Sequence, residues 1–196
     1  VDWIDDRITI TAEHIGFPGT DFSGLATVDL IEGSGPKLTS DFLATRLDMA
    51  DFRWLQPDLP SVKGDSKIGI DLDANGFRIR WSGASLDIDG GELIGSGALS
   101  QSHGEHLSLE DVYVEASELP FSSLNEYFPW IPNLERRIDG SLNLSGNFDS
   151  LQVKGGIVLL DPESEPWLAR FYPEPTNLAI EGLFHLRESI GVTDLH

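Results

Sequence analysis

In three runs between Lys67 and Asp89 apolar and polar residues alternate one by one, and this period constrains the fold more than any other feature. Ile68, Ile70 and Leu72 alternate with Lys67, Gly69, Asp71 and Asp73. Asn75-Gly76 follows, a dipeptide that favours tight hairpin turns because both residues tolerate positive φ. The return run sets Phe77, Ile79 and Trp81 against Arg78 and Arg80. Leu86 and Ile88 then alternate with Asp87 and Asp89, and Gly90-Gly91 predicts another turn. Successive side chains of an extended strand point to opposite faces, so such a run has one apolar and one polar face.

The pattern extends along most of the chain. Leu93, Gly95, Gly97 and Leu99 form the next run, and Leu107 and Leu109 open another. There the apolar phase slips by one residue to Val112 and Val114, which predicts a bulge near Glu110-Asp111. Ile138, Gly140, Leu142 and Leu144 precede a Gly146-Asn147 turn, and Val153, Gly155, Ile157 and Leu159 return from it. Leu178, Ile180, Gly182, Phe184 and Leu186 make the last run. Residues 1–62 are a less regular subregion, with strand patterns at Ile8/Ile10, Ala26/Val28/Leu30 and Leu47/Met49. About ten strands, with turn signals roughly every 8–15 residues, define an all-β, mainly antiparallel sheet of sequential hairpins.

Two segments carry helical signals. Ser123-Leu124-Asn125-Glu126 has a capping-box pattern that Pro129 soon ends, and Pro166–Tyr172 pairs Trp167 with Phe171 and Leu168 with Tyr172. Two short helices are therefore predicted. Glycines inside strands (Gly69, Gly95, Gly97, Gly155, Gly182) permit bending, so a curved, groove-like sheet is one expectation. A meander closed into a barrel or sandwich is the other. Residues 1–196 read as a single β-rich domain, or as a segment of a longer repetitive β protein.

The chain has 33 Asp and Glu against 13 Lys and Arg, a formal net charge of −20. Such a field repels phosphate backbones and excludes nucleic-acid binding through counterion release. It also argues against adhesion to an anionic membrane through a basic patch. No apolar run approaches the roughly 20 residues of a spanning helix. There is no cysteine, hence neither disulfide nor thiolate chemistry, and that composition points toward an extracytoplasmic bacterial compartment. Met49 is the single methionine and the chain opens Val1-Asp2-Trp3, which suggests a processed chain or a piece of a longer one whose membrane anchor lies elsewhere.

Few residues suggest chemistry. Asp71-x-Asp73-x-Asn75-Gly76 matches the first half of a calcium loop, but Ser82 stands where the bidentate Glu belongs. A hairpin turn with solvated carboxylates is the preferred reading, as it is for Asp87, Asp89 and Glu92. His103 and His106 lack the further ligands a zinc site needs. Gly95-Ser96-Gly97 lies within a strand pattern and is no nucleophile elbow. Asp48 and Asp51 are a carboxylate pair of the kind chance supplies in an acidic chain. No enzymatic activity, cofactor or metal is expected. Pro129-Trp130-Ile131-Pro132, with Phe121 and Phe128, makes an aromatic bend that either plugs a core or touches a partner.

Two stretches carry a family resemblance. Val112–Pro129 has a strand, an acidic spacer, Leu119-Pro120-Phe121 and a short helical pattern. Residues 138–161 read Asp-Gly-x-Leu-x-Leu-x-Gly, then a turn, then an alternating return to Asp161. Both are similar to units of the AsmA-like superfamily of bacterial envelope proteins, which includes AsmA, TamB and YhdP. Members are far longer than this chain and are anchored in the inner membrane. The resemblance implies a β-groove with an apolar interior, a periplasmic location, and a part in phospholipid passage or outer-membrane assembly.

The expected function is thus a non-enzymatic lipid-handling module whose partners are phospholipid acyl chains and other envelope proteins. Its groove candidates are Ile68, Ile70, Leu72, Phe77, Ile79, Trp81, Leu86, Ile88, Leu142, Leu144, Ile157 and Leu159. The alternative is a docking module whose closed core presents a surface or sheet edge to a larger assembly. A third reading is a calcium-dependent adhesin-like repeat using Asp71, Asp73 and Asn75.

Overall fold

The computed structural model describes residues 1–4, 6–31, 33, 35–54, 62–126, 136–147, 149–160, 176–185 and 191–192. The strands are β1 (Asp2–Ile4), β2 (Arg7–Gly16), β3 (Asp21–Ile31), β4 (Gly35–Asp48), β5 (Lys63–Asp73) and β6 (Gly76–Ile88). They continue as β7 (Gly91–Ser102), β8 (Ser108–Pro120), β9 (Arg137–Asn147), β10 (Ser150–Leu159), β11 (Thr176–His185) and β12 (Gly191–Val192). All lie in one sheet in sequence order, each antiparallel to the next, with β1 and β12 at opposite edges. The ten strands from β2 to β11 each span 10 to 14 residues, and β1 and β12 are short additions.

The described residues form an open sheet, neither a barrel nor a sandwich, so the closed-core expectation is overturned. The reason lies in connectivity. Every described connection returns the chain beside the strand it has just left, and none carries it to a second layer. The irregular first third belongs to the same sheet as β1–β4.

The helix expected at Ser123 is also corrected. Among the described residues no α-helix forms, and Phe121–Glu126 is a 3-10 turn. The Ser123 hydroxyl, which a capping box would use at the helix start, instead donates to Asp89 Oδ2 at 2.7 Å. Pro166–Tyr172 and the aromatic bend from Phe128 to Pro132 lie outside the described residues. Met49 is not in a strand but opens a second 3-10 turn, Met49–Phe52.

The hairpins form where they were expected, with their turns displaced. The β5–β6 loop is Ala74-Asn75, because Asp73 Oδ1 accepts the Asn75 N–H at 2.7 Å and closes the turn one residue early. Asp89-Gly90, with φ of 50° and 77°, forms the β6–β7 turn in place of Gly90-Gly91. Asn147 pairs with Ser150, which puts the β9–β10 turn after Gly146-Asn147.

The register slips by one residue on alternate strands from β2 to β8, and β10 has no slip. The extra residues fall at Glu13-His14 in β2, Thr45-Arg46 in β4 and Ser82-Gly83 in β6. β8 has two slips, at Glu110-Asp111 and Ser117-Glu118, and both Asp111 (φ 46°) and Glu118 (φ 49°) are left-handed. The first of these is the bulge that the phase change from Leu109 to Val112 predicts.

Near the Met49–Phe52 turn the β2–β3 loop is latched to the end of β4. Thr20, fully buried at 0% exposure, accepts the Asp48 N–H at 2.9 Å and donates to the Asp48 carbonyl at 3.3 Å. Gly19 N–H donates to Asp51 Oδ2 at 2.9 Å, and Asp48 Oδ1 caps Ala50 N–H at 2.9 Å. Asp48 and Asp51 therefore act as backbone acceptors. Replacing Thr20 with Val keeps the shape but removes the hydroxyl partner of the part-buried Asp48 N–H, so a loss of about 1–3 kcal/mol is expected in a denaturant titration. An unchanged midpoint would contradict that role for the hydroxyl.

Candidate functional site: an uncovered apolar face

Directly paired residues of adjacent strands share a face, so the register sorts the side chains without further assumption. One row runs Phe42, Ile68, Trp81 and Gly97. The next runs Val114, Leu142 and Gly155 from β8 to β10, and another runs Leu86, Leu93, Ala116, Gly140 and Ile157. Ile70 pairs with Ile79, Leu72 with Phe77, Leu144 with Val112 and Leu159 with Ile138. All twelve groove candidates consequently stand on one face. Phe77, Ile79 and Trp81 share it with Leu86 and Ile88 only because the extra residue at Ser82-Gly83, where Gly83 has φ of 58°, resets the alternation.

The opposite face holds the ionic side chains. Arg80 lies 3.1 Å from Asp71 and 3.6 Å from Asp41, Arg78 2.7 Å from Glu110, and Lys154 3.2 Å from Glu181. These pairs are solvent-screened and contribute little individually. Tyr113 on this face donates to Glu115 Oε2 at 2.8 Å, and that carboxylate raises the phenol above its ordinary range. Asp71 is thus engaged by Arg80 and Asp73 by the Asn75 turn. Among the described residues no group of three or more His, Cys, Asp or Glu side chains is placed to hold a metal ion. His106 Nε2 lies 3.4 Å from Asp149.

What distinguishes the apolar face is that nothing among the described residues covers it. Eleven of the twelve candidates are half-buried and Leu72 is 46% exposed. In a closed core large aliphatic side chains are buried from both sides. Here the largest fully buried side chain among the described residues is Thr20. Burial goes to small residues in the sheet, such as Ala44, Ser66 and Ala84, to one end of it at Leu47, Val62, Leu119 and Ile138, and to Val112, Leu151 and Val153 on β8 and β10.

A hollow of about 660 Å³ lies on this face, lined from β4 (Leu47) to β10 (Ile157). Seven of the candidates line it: Ile68, Ile79, Trp81, Leu86, Ile88, Leu142 and Ile157. Ile70, Leu72, Phe77, Leu144 and Leu159 share the face but lie outside the lining. Its depth follows from a lane of small side chains. Ser66, Ala84 and Gly95 run across β5 to β7 between the larger Ile68 and Trp81 on one side and Leu86 and Leu93 on the other. Met49 and Val62 line one end and Ser123 another part, and the serines are the hydrophilic members of the lining. Toward β2–β4 an aromatic cluster borders the same face: Phe22 lies 6.4 Å from Phe42 and 6.1 Å from Phe52, and Phe17 5.7 Å from Phe52.

Sequence reasoning missed Leu47, Met49, Val62, Ala84, Leu93, Val114, Ala116, Leu119 and Ile138 as lining residues. Most stood in recognised strands, but their place in the hollow depends on the register between strands, which alternation within each does not reveal. No helix among the described residues is long and apolar enough to cross a membrane. No family model, no curated protein and no solved structure matches the chain.

Proposed function

We propose that this chain is a lipid-handling module whose apolar face shelters the acyl chains of an amphiphile, without chemistry of its own. The observation that carries the reading is the large apolar face left half-exposed on a single-layer sheet. An apolar surface of this extent is a binding surface or an aggregation liability. The acidic opposite face would keep the sheet soluble while the apolar face is occupied.

Extra residues on β2, β4, β6 and β8 favour local bending of the strands that border the hollow, and we read the hollow as a shallow trough. Its volume falls within the roughly 300–1,000 Å³ of small-molecule sites. Each sheltered methylene contributes roughly 0.8 kcal/mol, so several engaged methylenes hold an acyl chain well. The resemblance of residues 112–129 and 138–161 to AsmA-like units supports phospholipid as the ligand and the bacterial envelope, on its periplasmic side, as the place. Within a longer protein the trough would be one section of a path toward the outer membrane.

Trp81 stands in the hollow and reports on its contents. Phosphatidylcholine with brominated acyl chains is expected to quench its fluorescence, and Trp81→Phe should lose most of the quenchable emission. Emission indifferent to the brominated lipid, in a folded chain, would contradict the proposal.

A further inference from the structure

The strongest unexplained feature of the molecule is Arg136. It is only 6% exposed, and among the described residues its buried Nη2 has no hydrogen-bond partner. A guanidinium stays protonated at any physiological pH, and burying it unpaired is costly. The shortage is odd in a chain with 33 acidic residues, where Arg7, Arg46, Arg78 and Arg80 each have a carboxylate within salt-bridge distance.

Its position is informative. The Arg136 carbonyl accepts the Phe121 N–H at 2.7 Å, which fixes the main chain where β8 ends and β9 begins. By alternation Arg136 falls on the same face as Ile138 and Gly140, both of which line the hollow. Two residues of extended chain put it about 7 Å from Ile138, and it is not itself part of the lining. One buried positive charge thus borders a nearly all-apolar depression.

We infer that Arg136 is the headgroup contact of the trough: its guanidinium takes an oxyanion, phosphate or carboxylate, at the polar end of an amphiphile whose tail lies on Ile138, Leu142 and Ile157. This rests on the lipid-handling reading and adds the class of ligand, an anionic-headed amphiphile. A guanidinium presents parallel N–H donors that match two oxygens of such a group, and the charge-assisted bonds strengthen away from water.

The test compares dodecyl phosphate, dodecyl maltoside and inorganic phosphate by titration calorimetry, each below micelle formation. The wild-type chain is expected to bind dodecyl phosphate about tenfold or more tighter than dodecyl maltoside, and inorganic phosphate far more weakly than either. Arg136→Met should erase the preference while leaving dodecyl maltoside affinity unchanged. Arg136→Lys, which keeps the charge without the fork, should retain part of it and serves if the Met variant fails to fold. Equal affinity for the two detergents, or a preference intact in Arg136→Met, overturns the headgroup role alone. Inorganic phosphate binding as tightly as dodecyl phosphate would make this a free-anion site and also overturn the inference. Dodecyl maltoside failing to bind at all would bring down the trough reading beneath it.

Discussion

Replacing Ile79 with Asp is expected to strip bound lipid from the chain while leaving the sheet folded. Ile79 lines the hollow and sits between Ile70 and Leu99 on the apolar face, half-buried, with no second layer above it among the described residues. An aspartate there must stay hydrated or be buried beneath an acyl chain. The second option costs several kcal/mol, so lipid affinity should fall roughly hundredfold or more. The fold should lose only about 1 kcal/mol, the scale of strand propensity at a partly exposed position. Ser100→Asp is the matched control, because Ser100 pairs with Arg78 on the ionic face. It adds the same charge to the same sheet and should leave lipid content unchanged. Phospholipid extracted per mole of purified protein, beside a melting curve, reads both effects. Equal lipid loss in the two variants would assign the effect to net charge and not to the hollow.

A second large effect is expected at Gly140, here on stability. Gly140 has φ of 151°, and a Cβ on it would run into the Gly156 carbonyl oxygen and come within 2.7 Å of Ile157 Cα. Both obstacles are backbone, so relief requires β9 and β10 to move apart. Across the pair, Gly155 meets the same problem against the Ser141 carbonyl. Unfavourable φ and overpacking each cost about 1–3 kcal/mol, so Gly140→Ala should destabilise the chain by about 3 kcal/mol or more. For a protein of this size that corresponds to a melting temperature lower by roughly 10 °C. Gly104 also has positive φ, 80°, but open space around it, and Gly104→Ala should cost about 1–2 kcal/mol from backbone strain alone. Equal losses at the two sites would mean that the close approach of β9 and β10 contributes nothing.

Much of the sheet is legible in the sequence because alternation is a local property. Ile68 to Leu72 and Phe77 to Trp81 announce their faces and their hairpin without any knowledge of the rest of the chain. The bulge at Glu110-Asp111 is legible for the same reason, since Leu109 and Val112 record the slip in apolar residues. The turns were misplaced by a residue because the side chain of Asp73 and the left-handed backbone of Asp89 compete with the adjoining glycines for the corner. The helix expected at Ser123 failed for a non-local reason, the hydroxyl's bond to Asp89, 34 residues away.

The hollow was half legible. Ile79 and Trp81 could be placed on the apolar face, but the lane of Ser66, Ala84 and Gly95 beside them exists only in the register between strands. Ala84 and Gly95 look inert in sequence, and their value is the space they leave. The open architecture was not legible either. An apolar fraction of 40% suits a closed core as well as an uncovered face. Only the topology separates the two, by returning each described strand beside its predecessor in one sheet.

The most direct measurement of whether the apolar face is a binding surface is native mass spectrometry of the chain purified without detergent, with lipid extraction from the same sample. The expected result is a folded chain carrying phospholipid at a defined stoichiometry, the lipid released on Ile79→Asp and retained on Ser100→Asp. A folded chain that arrives empty and takes up no phospholipid from added vesicles would contradict the claim that this face shelters acyl chains.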